Sequence, residues 1–325
     1  METIDILLAT YNGEKYLREQ IDSILKQTYQ NFKLIISDDC SIDETSKILK
    51  EYEKKDKRVV IYYQEENLGY IKNFEFLLSK VEHDLYMLSD QDDVWLPEKI
   101  EKSYEKLKNT NSDLVYGDLI VVDKDLNEIN PSFMKLKKTF RKANKYSDYR
   151  AVYLYNCVTG CTILSKSKFI SKILPFPTNV SYVPHDYWIA LIVGMNGKIT
   201  FINEPLIKYR QHGNNQIGSK RMIDNFTTFE QIRELFINVK LNVFKAYVEN
   251  PKSFPENLKK LSKQGLTYFE NVKDKNNINF KGWLVFHRLY KYDNFKYYII
   301  NFIIMNMPAI GRFLYRKKGI RKHEK

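Results

Sequence analysis

Short apolar runs and amphipathic stretches alternate along the first half of the chain. Residues 4–9 are apolar enough for a strand buried on both faces of a parallel sheet. Behind them Leu17, Ile21, Ile24 and Leu25 recur at helical spacing. Residues 32–36, 59–63 and 85–88 repeat the strand pattern, and DETSKILKEYEKKD and NLGYIKNFEFLLSK repeat the helical one. Strands alternating with helices in this way predict an α/β layer with a mostly parallel sheet and right-handed crossovers. Residues 114–122 predict a further strand, bent or bulged at Gly117-Asp118, and HDYWIALIVGMNG a helix that buries Tyr187, Trp188 and Leu191. Residues 199–202 and 206–209 read as two strands, or as a strand and an extended arm. From about Arg221 the pattern becomes helical and basic.

The most polar stretches of the first half each follow a strand: TYNG, SDDCS, QEENLG and SDQDD. Ligands of open α/β sheets bind beyond the carboxyl ends of the strands, so these four loops are expected to converge on one crevice. Asp90, Asp92 and Asp93 carry the strongest chemistry. Oxygen donors on a short turn suit Mg²⁺ or Mn²⁺ with a diphosphate on its far side. A solvated turn, with Asp92 or Asp93 capping a helix that begins near Pro97, accounts for the same spacing. Asp38 and Asp39 can accept hydrogen bonds from a base or ribose, or order the turn before a helix capped by Ser41 or Asp43. TYNG leads into a helix whose free N–H groups can hold an anion. Asp186 is either a helix cap or a general base, the latter only if its loop folds over the same crevice. His83, His185 and His212 lack metal-ligand spacing among themselves, and His83 reads as a surface residue.

Composition adds exclusions. The chain of 325 residues is sized for about two domains. Its net charge of +12 attracts anions without choosing among nucleic acid, acidic lipid and phosphorylated small molecules. No zinc finger, basic zipper or RNA-reading strand pair accompanies the charge, so no nucleic-acid partner is expected. Cys40, Cys157 and Cys161 have no CxxC spacing, which fits a reducing compartment. GxGxxG, GxxxxGK[ST] and GxSxG are absent, and METIDILLATYNGEKY reads as a strand, not a signal peptide. At the other end, KYYIINFIIMNMPAIGRFLYRKKGIRK sets an apolar stretch at 297–310, broken by Asn301, Asn306 and Pro308, before Arg312, Arg316, Lys317, Lys318, Arg321 and Lys322. It falls short of a bilayer span and suits either a helix lying on an anionic membrane or a helix packed on the protein with a basic tail.

The runs ILLATYNGEKYLREQIDSILKQTYQNFKLIISDDCSIDET, NLGYIKN and SDQDDVWLPEKI resemble the family 2 nucleotide-sugar glycosyltransferases of the GT-A fold, and within them the bacterial rhamnosyltransferase-like members that build cell-wall or capsular polysaccharide. The resemblance covers about residues 3–215. It implies a Rossmann-like, mostly parallel sheet flanked by helices, with a helical C-terminal extension. The implied domains are 1–219, divided into a nucleotide-sugar part at about 1–122 and an acceptor part at about 123–219, and a basic helical region at 220–325. Thr10, Tyr11 and Asn12 match the first nucleotide loop, Asp38 the acid that reads the base, and Asn67, Gly69 and Lys72 the third donor-side element. Asp90 and Asp92 match the metal-binding DxD pair, with Mg²⁺ or Mn²⁺ as cofactor. Asp186 in PHDYW matches the catalytic base, with His185 where an acidic residue is commoner and so the first substitute for that base. Arg210 and His212 match a late loop that reaches the donor diphosphate. The implied reaction is inverting transfer of L-rhamnose from dTDP-L-rhamnose to a saccharide carried on undecaprenyl diphosphate, at the inner face of the cytoplasmic membrane. A donor such as UDP-glucose or UDP-galactose, a nucleotide-sugar-binding module without turnover, and a homodimer are the open alternatives.

Overall fold

Strand β1 (Ile4–Thr10) is buried along almost its whole length, as its apolar run predicts, and it sits inside a nine-stranded sheet. The structure is a computed structural model and describes residues 1–136, 149–153, 156–177, 183–212, 228–274, 280–290 and 295–313. The strands β2 (Phe32–Asp38), β3 (Val59–Tyr63), β4 (Leu85–Ser89), β5 (Val94–Trp95), β6 (Leu114–Val122), β7 (Glu128–Asn130), β8 (Leu164–Lys166) and β9 (Ile199–Arg210) complete it in the order β3-β2-β1-β4-β8-β6-β9-β5, with β7 on β6. β3, β2, β1 and β4 run parallel; β8 is antiparallel to both β4 and β6, and β5 is antiparallel to β9. Sequence order therefore reverses at β1, whose neighbours are β2 and β4. That reversal opens the crevice beyond the strand ends.

Helices α1 (Leu17–Leu25), α2 (Thr45–Lys55), α3 (Tyr70–Ser79), α4 (Lys99–Asn109) and α5 (His185–Asn196) cover the sheet. Ile21 and Ile24 of α1 and Ile48 and Leu49 of α2 share one core with Ile4, Ile6, Leu8, Leu34 and Ile36. The bend at Gly117-Asp118 is a register shift against β9, and the two expected segments at 199–209 are one strand, β9, which carries the extra residues of that irregularity between Ile202 and Pro205 and again before Lys208. The helix after Pro97 begins at Lys99 with Glu98 at its N-cap, so neither Asp92 nor Asp93 caps it.

Two compact units emerge: Met1–Phe176 with Pro184–Gln216, and Pro177–Val183 with Ile217–Lys325. The second holds helices α6 (Phe229–Glu249), α7 (Glu256–Asp274), α8 (Phe280–Tyr290) and α9 (Phe295–Asn306). A capping box between Thr228 and Gln231 starts α6. The aromatic richness of the chain is used here: Phe244 stacks on Phe269 at 5.5 Å, and Phe286 on Tyr290 at 4.4 Å. Arg233 ties three helices by donating to the carbonyls of Val272 and Met305. No helix among the described residues is long and apolar enough to cross a membrane. The expected cations Arg316, Lys317, Lys318, Arg321 and Lys322 lie outside the described residues, as do residues 137–148 and residues 213–227, where the late loop continues and the basic helical pattern starts.

Candidate active site

Thr10 ends β1 beside Asp38 at the end of β2, and Ser89 ends β4 on the other side of β1. The loops that follow these ends carry the residues predicted from sequence. Asn12 adopts φ 47°, a left-handed conformation that asparagine tolerates better than most residues. Its Oδ1 accepts from the Ile42 N–H at 2.9 Å, and Ser41 Oγ donates to Asp38. Burial raises the Asp38 carboxyl above its usual range. Asp39 accepts from the N–H groups of Leu68 and Gly69 at 2.7 and 2.9 Å, and Asn67 Nδ2 donates to the Asp39 carbonyl. These bonds hold Gly69 at φ 76°, where a Cβ would be strained, as it starts α3. Lys72 is exposed on the first turn of that helix.

The N–H groups of residues 11–14, in the turn that leads into α1, are engaged within the protein. Each of them meets a side chain: Tyr11 N–H donates to Gln91 Oε1, Asn12 to Ser41 Oγ, Gly13 to Thr45 Oγ1 and Glu14 to Asp43 Oδ2. Gly13 is buried and needs a partner inside the protein, while Tyr11, Asn12 and Glu14 are exposed and are tied to the neighbouring loops all the same.

In the acidic turn, Asp90 is half-buried and Asp93 fully buried. Burial first, then the charges of Asp92 and Asp186, push Asp90 up to about 7. One carboxylate each from Asp90 and Asp93 and the thiol of Cys161 lie within 4.8 Å of one another. Asp93 Oδ2 is buried with no hydrogen-bond partner. Asp92 is outside that cluster; its Oδ2 faces His212 Nε2 at 2.8 Å. Crowded carboxylates with an orphaned oxygen fit a divalent cation, which would relieve their mutual repulsion. The Cys161 thiol, driven well above its usual range by burial, suits a hard cation poorly.

Asp186 opens α5, with its Oδ2 accepting from the Gly160 N–H at 3.0 Å and its Oδ1 from the Tyr187 N–H at 2.6 Å. Burial pushes its carboxyl up to about 6 against the pull of those donors. Its charge is felt at Asp90, so the α5 start and the acidic turn share one electrostatic neighbourhood. His185 is packed differently: its ring stacks on Phe74 at 4.0 Å and meets Tyr70 edge-on at 5.9 Å. Burial drives it down to about 3, and neither ring nitrogen has a hydrogen-bond partner. A neutral imidazole of that kind is a poor proton acceptor near pH 7.

Arg210 and His212 brace the turn. The Arg210 backbone N–H donates to Asp93 Oδ1 and its guanidinium to the carbonyls of Asp92 and Lys124 and to Glu19, while its plane lies over the Tyr16 ring. Only 2% of it is exposed. Sequence reasoning missed Gln91, Gly160 and Cys161. Gln91 lies inside the quoted acidic motif, and Gly160-Cys161 interrupts the apolar run AVYLYNCVTGCTILS, which was the available signal. His83, read as a surface residue, is partly buried, with its Nδ1 2.7 Å from buried Asp5.

Comparison with known proteins converges on one description. The family model "Glycosyl transferase family 2" matches residues 5–170, about half of the chain. The uncharacterized glycosyltransferase MJ1057 of Methanocaldococcus jannaschii is 30% identical over 210 residues, which are 64% of this chain and 70% of that protein. The dTDP-rhamnosyl transferase RfbG of Shigella flexneri is 28% identical over 223 residues, 65% of this chain and 74% of the relative. Among solved structures, S. aureus TarS 1–349 in complex with UDP-GlcNAc superposes with TM-score 0.62 at 16% identity, covering 98% of this chain and 92% of that chain. The mannosyltransferase PcManGT of Pyrobaculum calidifontis, in complex with GDP-Man and Mn²⁺, gives 0.55 at 13% identity, covering 98% and 82%. These structural likenesses speak for the fold: a Rossmann-like mixed α/β sheet of GT-A type. Family model, relatives and fold agree, and the chain belongs to glycosyl transferase family 2, as a catalytic glycosyltransferase.

Proposed function

We propose that this enzyme transfers a hexose, foremost L-rhamnose from dTDP-L-rhamnose, to a hydroxyl of a saccharide acceptor with inversion at the anomeric carbon. The observation that carries this reading is the single orientated carboxylate, Asp186, electrostatically coupled to the acidic turn at the sheet's reversal point. Asp186 takes the proton of the acceptor hydroxyl while that oxygen attacks the anomeric carbon and the bond to the diphosphate breaks. One base suffices, because the diphosphate leaves without being protonated by a second carboxylic acid. Asp90 and Asp92 would hold the Mg²⁺ or Mn²⁺, with buried Asp93 clustered beside Asp90 and with Arg210 and His212 bracing the turn. When bound, the cation neutralises charge on the departing diphosphate. Thr10, Tyr11, Asn12, Asp38, Asn67, Gly69 and Lys72 form the nucleotide side, with the exposed Tyr11 ring available to the base.

The rhamnose assignment draws support from the likeness to a dTDP-rhamnosyl transferase. A UDP-hexose donor is the second reading, favoured by the likeness to a structure holding UDP-GlcNAc. The same proposal assigns donor and acceptor work to residues 1–219 and places residues 220–325 toward an anionic membrane face inside the cell, where an undecaprenyl-diphosphate-linked acceptor would be met. Calorimetry with dTDP and UDP, with and without Mn²⁺, tests the core of it. Tighter binding in Mn²⁺ that is lost in Asp92→Asn is expected; equal binding in all conditions removes the cation from the mechanism. A panel of nucleotide sugars assayed by nucleoside diphosphate release decides the donor.

A further inference from the structure

We propose that Gln91, the residue between the two acids of Asp90-Gln91-Asp92, is a positioning strut through which the cation turn and the nucleoside loop reinforce each other's binding. The proposal rests on reading this crevice as a nucleotide-sugar site, and it adds a coupling that the reading does not contain. Gln91 Oε1 accepts from Thr10 Oγ1 at 2.6 Å and from the Tyr11 N–H at 2.8 Å. Its Nε2 donates back to the Tyr11 carbonyl at 3.1 Å. Both ends of the amide are thus engaged, and the Tyr11 backbone is gripped on its donor and its acceptor together. The partners lie 80 or 81 positions away in sequence.

Space for this grip is reserved. A Cβ on Gly13 would stand 2.6 Å from Gln91 Oε1 and 2.7 Å from Thr10 Oγ1, closer than such atoms approach. The gripped loop then passes the constraint on: Asn12 N–H donates to Ser41 Oγ, and Ser41 Oγ donates to Asp38. Hydrogen bonds joined through the Tyr11–Asn12 peptide link therefore run from the acid assigned to the base to the turn assigned to the cation. Few side chains can replace Gln91. Glutamate keeps an acceptor but loses the Nε2 donor and adds a charge between Asp90 and Asp92. Asparagine is one methylene short, and methionine has the length without the hydrogen bonds. Binding energies coupled in this way are reciprocal: the cation must tighten the nucleotide by the factor with which the nucleotide tightens the cation.

The test measures dTDP affinity by calorimetry with and without Mn²⁺, with UDP as second probe, in wild type, Gln91→Met and Gln91→Asn. Losing this grip should weaken dTDP about tenfold in Mn²⁺ and less than about threefold without it, the size expected for a few net hydrogen bonds. Donor KM should rise with kcat nearly unchanged, a split that general loss of folded protein does not produce. Gly13→Ala supplies an independent arm. Alone it should weaken dTDP, and combined with Gln91→Ala it should add less than it costs alone, because one of its two close contacts, Gln91 Oε1, is then gone. Equal weakening with and without Mn²⁺, or additive effects of Gly13→Ala and Gln91→Ala, overturns the strut. If wild type binds neither dTDP nor UDP under any condition, the reading of the crevice fails instead, which is a separate outcome.

Discussion

The Gly160 N–H donates to Asp186 Oδ2 at 3.0 Å, and a Cβ on Gly160 would stand 3.3 Å from Asp186 Cβ and 3.2 Å from His185 Nε2. The glycine therefore sets where the carboxylate points. Gly160→Ala should displace Asp186 by a few tenths of an ångström and lower kcat about tenfold, since small misplacements of a reacting group are costly. Donor affinity should stay within about twofold. Unchanged kcat would show that the Asp186 orientation is not used.

Asp186→Asn preserves shape while removing the base. Transfer should fall about 10²–10⁴-fold with donor binding retained. His185→Phe should keep the aromatic stack on Phe74 and most of the activity, because the imidazole is already neutral there. Single-turnover rates of the two variants separate the roles; the reverse ranking would move the base to His185.

A carboxyl raised from 3.8 to about 6 has two pH signatures of opposite sign. Catalysis needs the ionised form, so kcat/KM should decline as pH falls through about 6. Stability runs the other way: the folded state holds this proton more tightly than the unfolded chain, so ionisation costs stability above pH 6 and costs nothing below about 4. The thermal midpoint of Asp186→Asn should accordingly exceed that of wild type most clearly above pH 6, with the gap closing on acidification. A gap that is flat with pH would mean the carboxyl is not raised.

Gly69 combines φ 76° with no atom within 4 Å of an added Cβ. Gly69→Ala therefore isolates backbone strain from crowding and, with ψ at 154° in a region open essentially to glycine, should cost about 1–3 kcal/mol in urea unfolding. Because the Gly69 N–H donates to Asp39 Oδ2, donor KM should rise as well.

The membrane proposal predicts that the full chain co-sediments with phosphatidylglycerol vesicles at low salt and is released as salt rises, since screening weakens exposed charge. Truncation after Asp293 should reduce that binding and spare dTDP binding. Loss of thermal stability on truncation, with no vesicle binding by the intact chain, would assign α9 to packing on its own helices, where Asn306 already accepts from Tyr268 at 2.7 Å.

The sequence alone determined the alternation of strands and helices, and with it the sheet and the loops beyond its strand ends, because burial periodicity is a local property of the chain. It also singled out Asp90 and Asp92, since acids placed directly after an apolar run are visible in one dimension, and Asp186, which precedes an apolar helix. What it left open depended on partners distant along the chain. Arg210 reads as a cation available to a diphosphate until the fold brings Glu19, 191 positions away, onto its guanidinium. TYNG reads only as a turn into a helix until Gln91, Ser41, Asp43 and Thr45 arrive to accept from the N–H groups of residues 11–14. His185 reads as a spare base until Phe74 and Tyr70 enclose it and burial lowers its proton affinity. Charge, hydrogen bonding and desolvation act through space between residues that sequence spacing does not relate, so only the tertiary structure could decide which polar side chains hold the site together and which remain to do its chemistry.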